Sequence, residues 1–245
     1  MIGIITALTL RELLGRGRTV LMVLLALLPI VLATVYRLGG QDTDQPKWVA
    51  QVLFDGLIVS TLLPLAALVY GTAALGAEIE DGTAVYLLAK PVSRTRIILA
   101  KLLAAWVLTS ATVLASGLVA GAIGLAGSPG HGLLLGFGIG LVAGSLVYSA
   151  LFVMLSVVTS RALIAGLVYV FVWEGLVNGL FAGTRMLSVR HYTLSVAGIF
   201  VDLPDNVFEA KLGPVAAVVL MIAFGGASVW FAIRRLQRFE IGEST

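Results

Sequence analysis

The chain has 245 residues, of which 59% are hydrophobic and only 12% are charged, against about 25% charged residues in ordinary soluble domains. Such a chain cannot cover a water-facing surface with polar groups, so we expect lipid to be its main solvent and its small net charge of +3 to reflect membrane topology rather than nucleic-acid binding. The absence of cysteine excludes disulfides and thiolate sites, and the distant pair His131 and His191 predicts no metal site.

The N-terminal stretch 1–17 is apolar but too short to span a membrane, because Arg11 and Glu12 interrupt it. One interpretation is a plain extension of the first span. The other is an interfacial helix that lies on the inner leaflet, which we favour slightly.

Long apolar runs follow, and a spanning helix needs about 20 mostly apolar residues. No short alternating strands of a membrane β-barrel are present. We therefore predict an all-α polytopic membrane protein with six transmembrane helices. These spans cover residues 19–36, 52–75, 97–125, 133–158, 162–182 and 213–233.

The lysines and arginines predict the orientation. With six spans, eleven of them lie on the side of the two termini and five on the other side. Because cytoplasmic loops carry the excess of basic residues, both termini are predicted to be cytoplasmic. The outer segment 183–212 contains the apolar run LSVAGIF, which is untypical of a solvated loop. It predicts one or two short re-entrant-like helices before the sixth span.

The stretch 78–101, between the second and third spans, is the most polar part of the chain. Glu78, Glu80 and Asp81 stand at the predicted start of a short helix, where the helix dipole favours negative charge. Pro91 disfavours helical geometry in the residue before it and so ends this helix. The helix has no neighbour in its own chain to cover its apolar face. A docking surface for a partner protein is therefore favoured over a solvated loop whose charges only follow the topology.

The residues of this stretch carry a family resemblance. The pattern Glu78-x3-Gly82-Thr83-x3-Leu87-Leu88-x2-Pro91-Val92-Ser93-Arg94-x6-Lys101 resembles the cytoplasmic loop of ABC-2-type permeases, the membrane subunits of one class of ABC transporter. The six spans, the N-terminal helix and the outer segment are similar to that family as well. The resemblance implies that 1–245 is a single transmembrane permease domain.

In that family the loop forms a coupling helix that docks into a groove of a separate ATPase subunit. The resemblance thus implies interface or loop-shaping roles for five residues, and the charges of Glu80 and Asp81 belong to the same predicted interface. The five residues are Glu78, Gly82, Thr83, Pro91 and Arg94.

The resemblance also implies an ATP-driven exporter in a bacterial cytoplasmic membrane, working as a dimer with a second copy or a sister permease. The sequence has no GxxxxGK[ST] loop, so ATP has no phosphate cradle in this chain. We expect ATP and Mg on the ATPase partner, no cofactor on this chain, no enzymatic activity and no catalytic residue.

Glu174 and Asn178 lie within the fifth predicted span, one helical turn apart and so on one face. A carboxylate deep in lipid is costly and marks a pathway or a paired site. Lining of the translocation pathway and a hydrogen bond to another helix are equally compatible with this position. Asp55 begins the second span near the outer surface, where we expect simple hydration.

Glycines at GxxxG spacing occur twice, at Gly117 and Gly121 and at Gly140 and Gly144. The second pair lies in GFGIGLVAG, residues 136–144, which superficially resembles a dinucleotide-binding loop. It has no preceding strand and lies inside a span, so close helix packing is the better interpretation. The contact could be to other spans or to a second copy.

Two other classes of function compete with the permease. An intramembrane enzyme would need convergent catalytic groups or a metal cluster in the spans, where Glu174 is the only mid-depth carboxylate. A stand-alone secondary transporter or channel would show internal repeats or several buried ions. We find no convincing repeat, although the numerous glycines are compatible with this alternative.

Overall fold

The computed structural model is helical throughout the part of the chain that it describes, which comprises residues 2–39, 44–80, 93–128, 130, 132–180, 182–201, 208 and 211–237. Helices make up 89% of these residues and none of them is in a strand. The prediction of an all-α fold is therefore confirmed.

The N-terminal helix α1, Ile2–Leu13, is separate from the first long helix α2, Arg16–Leu38. α1 packs against the third long helix of the chain: Thr6 Oγ1 donates to the carbonyl of Ala100 at 3.3 Å, and Glu12 lies 3.9 Å from Lys101 Nζ. The chain turns between the two helices, so α1 is not a plain extension of the first span.

The second long helix, α3, runs from residue 45 to residue 80 and changes its hydrogen-bonding pattern along the way. It is α-helical over Gln45–Trp48, π-helical over Val49–Leu62 and α-helical again over Leu63–Glu80. The predicted second span began only at residue 52. The helix begins earlier because Pro46 is favourable in a first helical turn, where its missing N–H costs no hydrogen bond.

The remaining helices complete a bundle. They are α4, Arg94–Gly124, α5, Leu133–Val158, α6, which covers residues 162–180, a 3-10 helix Ala182–Leu187, α7, Val189–Gly198, and α8, Pro214–Gln237. α6 consists of Ala162–Val168, the π-helical Tyr169–Val177 and Asn178–Leu180.

Five helices of the described residues are long and apolar enough to cross a membrane: α2, α3, α4, α5 and α8. The fifth predicted span, 162–182, corresponds to a shorter apolar helix, Ala162–Val177. Its apolar run is interrupted near Glu174 and ends before the 3-10 turn. Multiple apolar helices of this length make the chain a multi-pass membrane protein.

α5 lies at the centre of the bundle, in contact with α3, α4, α7 and α8. In α5, 67% of the most apolar stretch is buried, against 17% in α2 and 22% in α8. α2 and α8 therefore present most of their apolar surface outward, as expected for helices solvated by lipid.

Both GxxxG pairs lie at contacts with other helices of the same chain. The ring of Phe54 in α3 packs over Gly117 and Gly121 of α4, and α7 crosses Gly140 and Gly144 of α5. At Gly140, an added Cβ would lie 2.7 Å from the carbonyl oxygen of Thr193. The glycines thus allow the close helix packing predicted from their spacing.

Candidate functional site

The buried carboxylate of Glu174 is surrounded by hydrogen-bond donors. Glu174 lies in the π-helical part of α6 and is only 5% exposed. Its Oε1 accepts from Tyr148 Oη of α5 at 3.2 Å, from Tyr169 Oη at 3.0 Å and from the backbone N–H of Val189 at 2.9 Å. Its Oε2 accepts from Ser188 Oγ at 2.5 Å and from Asn178 Nδ2 at 3.4 Å.

These five contacts offset much of the cost of burying the carboxylate, because each oxygen is satisfied by protein donors. Of the two interpretations left open by the sequence, the hydrogen bond to another helix is present: Tyr148 lies on α5 and Val189 on α7. Asn178 shares the face of Glu174, as its spacing predicted, although its contact is the longest of the five.

The π-helical geometry explains why Tyr169 reaches Glu174. In an α-helix, residues five apart point in clearly different directions, since each residue turns the chain by 100°. A π-helix bonds residue i to residue i+5 and so brings them to one side. The π-helical segment of α6 therefore positions a phenol donor over the carboxylate of its own helix.

A second carboxylate, Asp55, projects from the π-helical part of α3 and binds the same region of α7. Arg190 donates to Asp55 Oδ1 from Nη2 at 2.6 Å and from Nε at 3.0 Å. The two side chains are 30% and 32% exposed. The sequence predicted simple hydration for Asp55, and this was incomplete, because Arg190, 135 residues away in the chain, binds it.

The two carboxylates together hold the start of α7, which we call the α7 clamp: Glu174 with Ser188 and Val189, and Asp55 with Arg190. Ser188 also caps α7, since its Oγ accepts from the backbone N–H of His191 at 3.4 Å. A negative charge at a helix N-terminus is favourable because of the helix dipole and the unpaired N–H groups there. α7 is therefore tied to α3 and α6 at one end, while its body is buried against α5 and α8.

The helix α7 contains two titratable side chains with shifted pKa values. Burial, followed by the positive charges of Arg190, Lys211 and Arg185, lowers the pKa of His191 to about 4. Burial, followed by the charge of Glu174, raises the pKa of Tyr192 to about 12. Both side chains are thus neutral near pH 7, which fits their burial in the bundle.

Most of the chain, including the α7 clamp, matches a known protein family. A family model described as ABC-2 family transporter protein matches residues 7–198. The chain belongs to the ABC-2 family of transporter proteins. No curated protein matches it. The matched range begins in α1 and ends at Gly198, the last residue of α7, so both carboxylates of the α7 clamp lie inside the family domain.

Membership confirms the resemblance that the stretch 78–101 predicted. Proteins of the ABC-2 family are membrane components of transport systems and are not themselves catalytic. The described residues of this ABC-2 chain contain no group of three or more His, Cys, Asp or Glu side chains that could hold a metal ion.

The predicted ATPase-facing residues lie partly inside the described part of this ABC-2 chain. Glu78 and Glu80 are among the last described residues of α3. They continue the second long helix, where the sequence predicted the start of a separate short helix. Arg94 is the first residue of α4, after Ser93 at its N-cap. Asp81, Gly82, Thr83 and Pro91 lie outside the described residues.

Proposed function

We propose that this chain is the permease subunit of an ATP-driven ABC-2-type exporter in a bacterial cytoplasmic membrane. The observation that carries the proposal is the family match over residues 7–198, supported by the long apolar helices. ATP and Mg would bind to a separate ATPase subunit, since the chain has no GxxxxGK[ST] loop.

The full topology belongs to the same proposal. The helix 162–180 has nearly the 20 residues that a spanning helix needs, so it serves as a sixth span. Six spans put both termini on the side with the excess of lysine and arginine, which the positive-inside rule makes cytoplasmic. The outward apolar surfaces of α2 and α8 leave room for a second copy or a sister permease beside lipid.

The ATPase subunit would contact the stretch between α3 and α4, with Glu78, Glu80, Asp81, Gly82, Thr83, Pro91 and Arg94 forming or shaping the interface. α3 supports a mechanical role for this contact because it is a continuous helix. Asp55 of the α7 clamp and Glu80, the last described residue of α3, lie 25 residues apart on this helix. A displacement at one end would move the other.

Glu174 and Asn178 were predicted either to line the pathway or to join helices. We infer that Glu174 joins helices, because its five donors come from α5, α6 and the start of α7 and it is only 5% exposed. Export would then require the α7 clamp to hold α7 while α3 moves at its other end. Asn178 retains the pathway role as a proposal, since its Oδ1 is buried without a hydrogen-bond partner among the described residues.

The test is affinity purification of the tagged chain in mild detergent, with mass spectrometry of the proteins that come with it. A stoichiometric partner with a Walker A loop is expected. Charge reversal of Glu80 and Asp81 to Lys should reduce the recovered partner, whereas Asp44→Lys, an exposed acidic residue at the opposite end of α3, should not. A chain that is recovered alone, and that supports substrate flux without any ATPase, would overturn the proposal in favour of a stand-alone transporter.

A further inference from the structure

A cavity of about 290 Å³ lies at one end of the bundle, where four helix ends meet. Its walls come from the first turn of α2, the last turns of α3 and α5, and the start of α6. Arg18 is the only charged side chain in the described part of the wall. It is half-buried. The described part of the wall therefore carries a positive charge.

The rest of the described wall consists of hydroxyl-bearing and apolar residues. Thr72 and Ser156 are 6% and 2% exposed, and each donates its one hydroxyl hydrogen to a carbonyl of its own helix, at 2.7 Å. Their oxygen lone pairs are thus available as acceptors inside the cavity. Thr159 Oγ1 instead accepts from the backbone N–H of Arg161 at 3.2 Å, so its hydroxyl hydrogen is available as a donor.

Two exposed apolar side chains also line the cavity. Leu21 of α2 and Leu163 of α6 line it and are 47% and 49% exposed. In a membrane protein such side chains face acyl chains. A ligand bound in this cavity would contact a cation, a hydroxyl donor, buried hydroxyl acceptors and apolar side chains.

We propose that this cavity binds a phosphate diester with a hydroxyl-bearing headgroup, supplied by an anionic phospholipid such as phosphatidylglycerol. Arg18 and Thr159 would donate to the phosphate oxygens, which is the geometry that guanidinium groups favour. The headgroup hydroxyls would donate to Thr72 and Ser156, and the acyl chains would lie along Leu21 and Leu163. Basic cavities between helices at the cytoplasmic end of a bundle suit anionic lipids, and the cavity lies at the proposed cytoplasmic end.

The test measures thermal unfolding of the delipidated full chain in neutral detergent while phosphatidylglycerol is added. A ligand that binds the folded state raises Tm with its concentration, which gives an apparent affinity. We expect a rise with phosphatidylglycerol and a clearly smaller one with phosphatidylcholine, whose headgroup has no hydroxyl donor and no net charge. Arg18→Gln should lower the affinity for phosphatidylglycerol roughly tenfold, as expected for loss of a charge-assisted hydrogen bond.

Two further variants keep the result interpretable. Arg235→Gln removes an exposed arginine from α8, outside the cavity wall, and should retain the wild-type response. Ala73→Leu fills part of the cavity without removing charge and should weaken the response to phosphatidylglycerol as Arg18→Gln does. If one of these two variants folds poorly, the other still tests the proposal.

Soluble glycerol phosphate and inorganic phosphate distinguish the source of the phosphate. If they raise Tm as strongly as phosphatidylglycerol does, and only when Arg18 is present, the phosphate site is supported and the lipid source is wrong. Equal responses to phosphatidylglycerol and phosphatidylcholine, or an unchanged response in both Arg18→Gln and Ala73→Leu, would overturn the proposal. Because the purified chain is tested without an ATPase, this outcome is independent of the proposed function.

Discussion

Arg190 and Asp55, 135 residues apart in the sequence, form an ion pair in which Nη2 and Nε of the arginine both donate to Oδ1 of the aspartate, at 2.6 and 3.0 Å. The pair joins the start of α7 to the π-helical segment of α3. Glu174 joins the same turn of α7 to the π-helical segment of α6. The π-helical segments of α3 and α6 therefore each contribute one carboxylate that binds the start of α7.

The Asp55–Arg190 pair should contribute measurable but modest stability. Asp55→Asn and Arg190→Gln each remove one charge, and the double variant removes both. Because each side chain is about one-third exposed, we expect a coupling energy of roughly 0.2–1 kcal/mol in a double-mutant cycle. The measurement is the free energy of unfolding in detergent. Asp44→Asn, on the same helix, is the control, and strictly additive single effects would show that the pair does not interact.

Glu174→Gln should destabilise the fold. The amide loses the negative charge and places N–H hydrogens against groups that are themselves donors, so hydrogen bonds to a charged group worth about 1.5–3 kcal/mol are weakened. Tyr169→Phe removes one of the five donors and should cost less, about 0.5–1.5 kcal/mol. The measurement is again the free energy of unfolding, combined with transport by the reconstituted complex.

The matched control for Glu174→Gln is Asp44→Asn. The side chain of Asp44 is exposed and makes no capping hydrogen bond at the start of α3, so this variant should change stability little. If Glu174→Gln abolished transport without any loss of stability, the side chain would be a pathway residue, and its inferred role in joining helices would be wrong.

The sequence predicted the elements whose signal is local. Apolar runs of spanning length predicted the long helices, and the glycine spacing predicted close packing at Gly140 and Gly144. Glu174 stood out because a carboxylate is expensive in an apolar segment. These inferences require only the local composition and the spacing of residues along the sequence.

The π-helical segments could not be predicted, because the hydropathy of an apolar segment is the same whether the segment forms an α-helix or a π-helix. The contact of Tyr169 with Glu174 depends on that pattern and was missed. The pairing of Asp55 with Arg190 was missed for a different reason. It depends on the packing of α7 against α3, and the spacing of residues within a single segment does not predict such a contact. Arg190 is one of the five basic residues on the predicted outer side, where Asp55 was also predicted to lie, and this shared side was the one available signal.

Gly140→Ala should destabilise the bundle despite the better helix propensity of alanine. The new Cβ would lie 2.7 Å from the carbonyl oxygen of Thr193 and 3.0 Å from Ala197 Cβ. α7 would have to move away from α5, at a cost of about 1–3 kcal/mol. At Gly226 in α8, an added Cβ meets nothing within 4 Å. Gly226→Ala should therefore be neutral or stabilising by up to about 1 kcal/mol, and equal effects of the two variants on unfolding would contradict the close packing of α7.

Acidification should weaken the fold through His191. Its pKa is lowered from 6.5 to about 4 by burial and by the cations around it, so between these values the unfolded chain binds the proton and the folded chain does not. The unfolding free energy is therefore highest above pH 6.5 and falls as the pH is lowered towards 4. Tm measured across this range should fall less in His191→Gln than in the wild type. His131→Gln, at the only other histidine of the chain, is the matched control, and a wild-type slope that persists in His191→Gln would assign the acid sensitivity to the carboxylates instead.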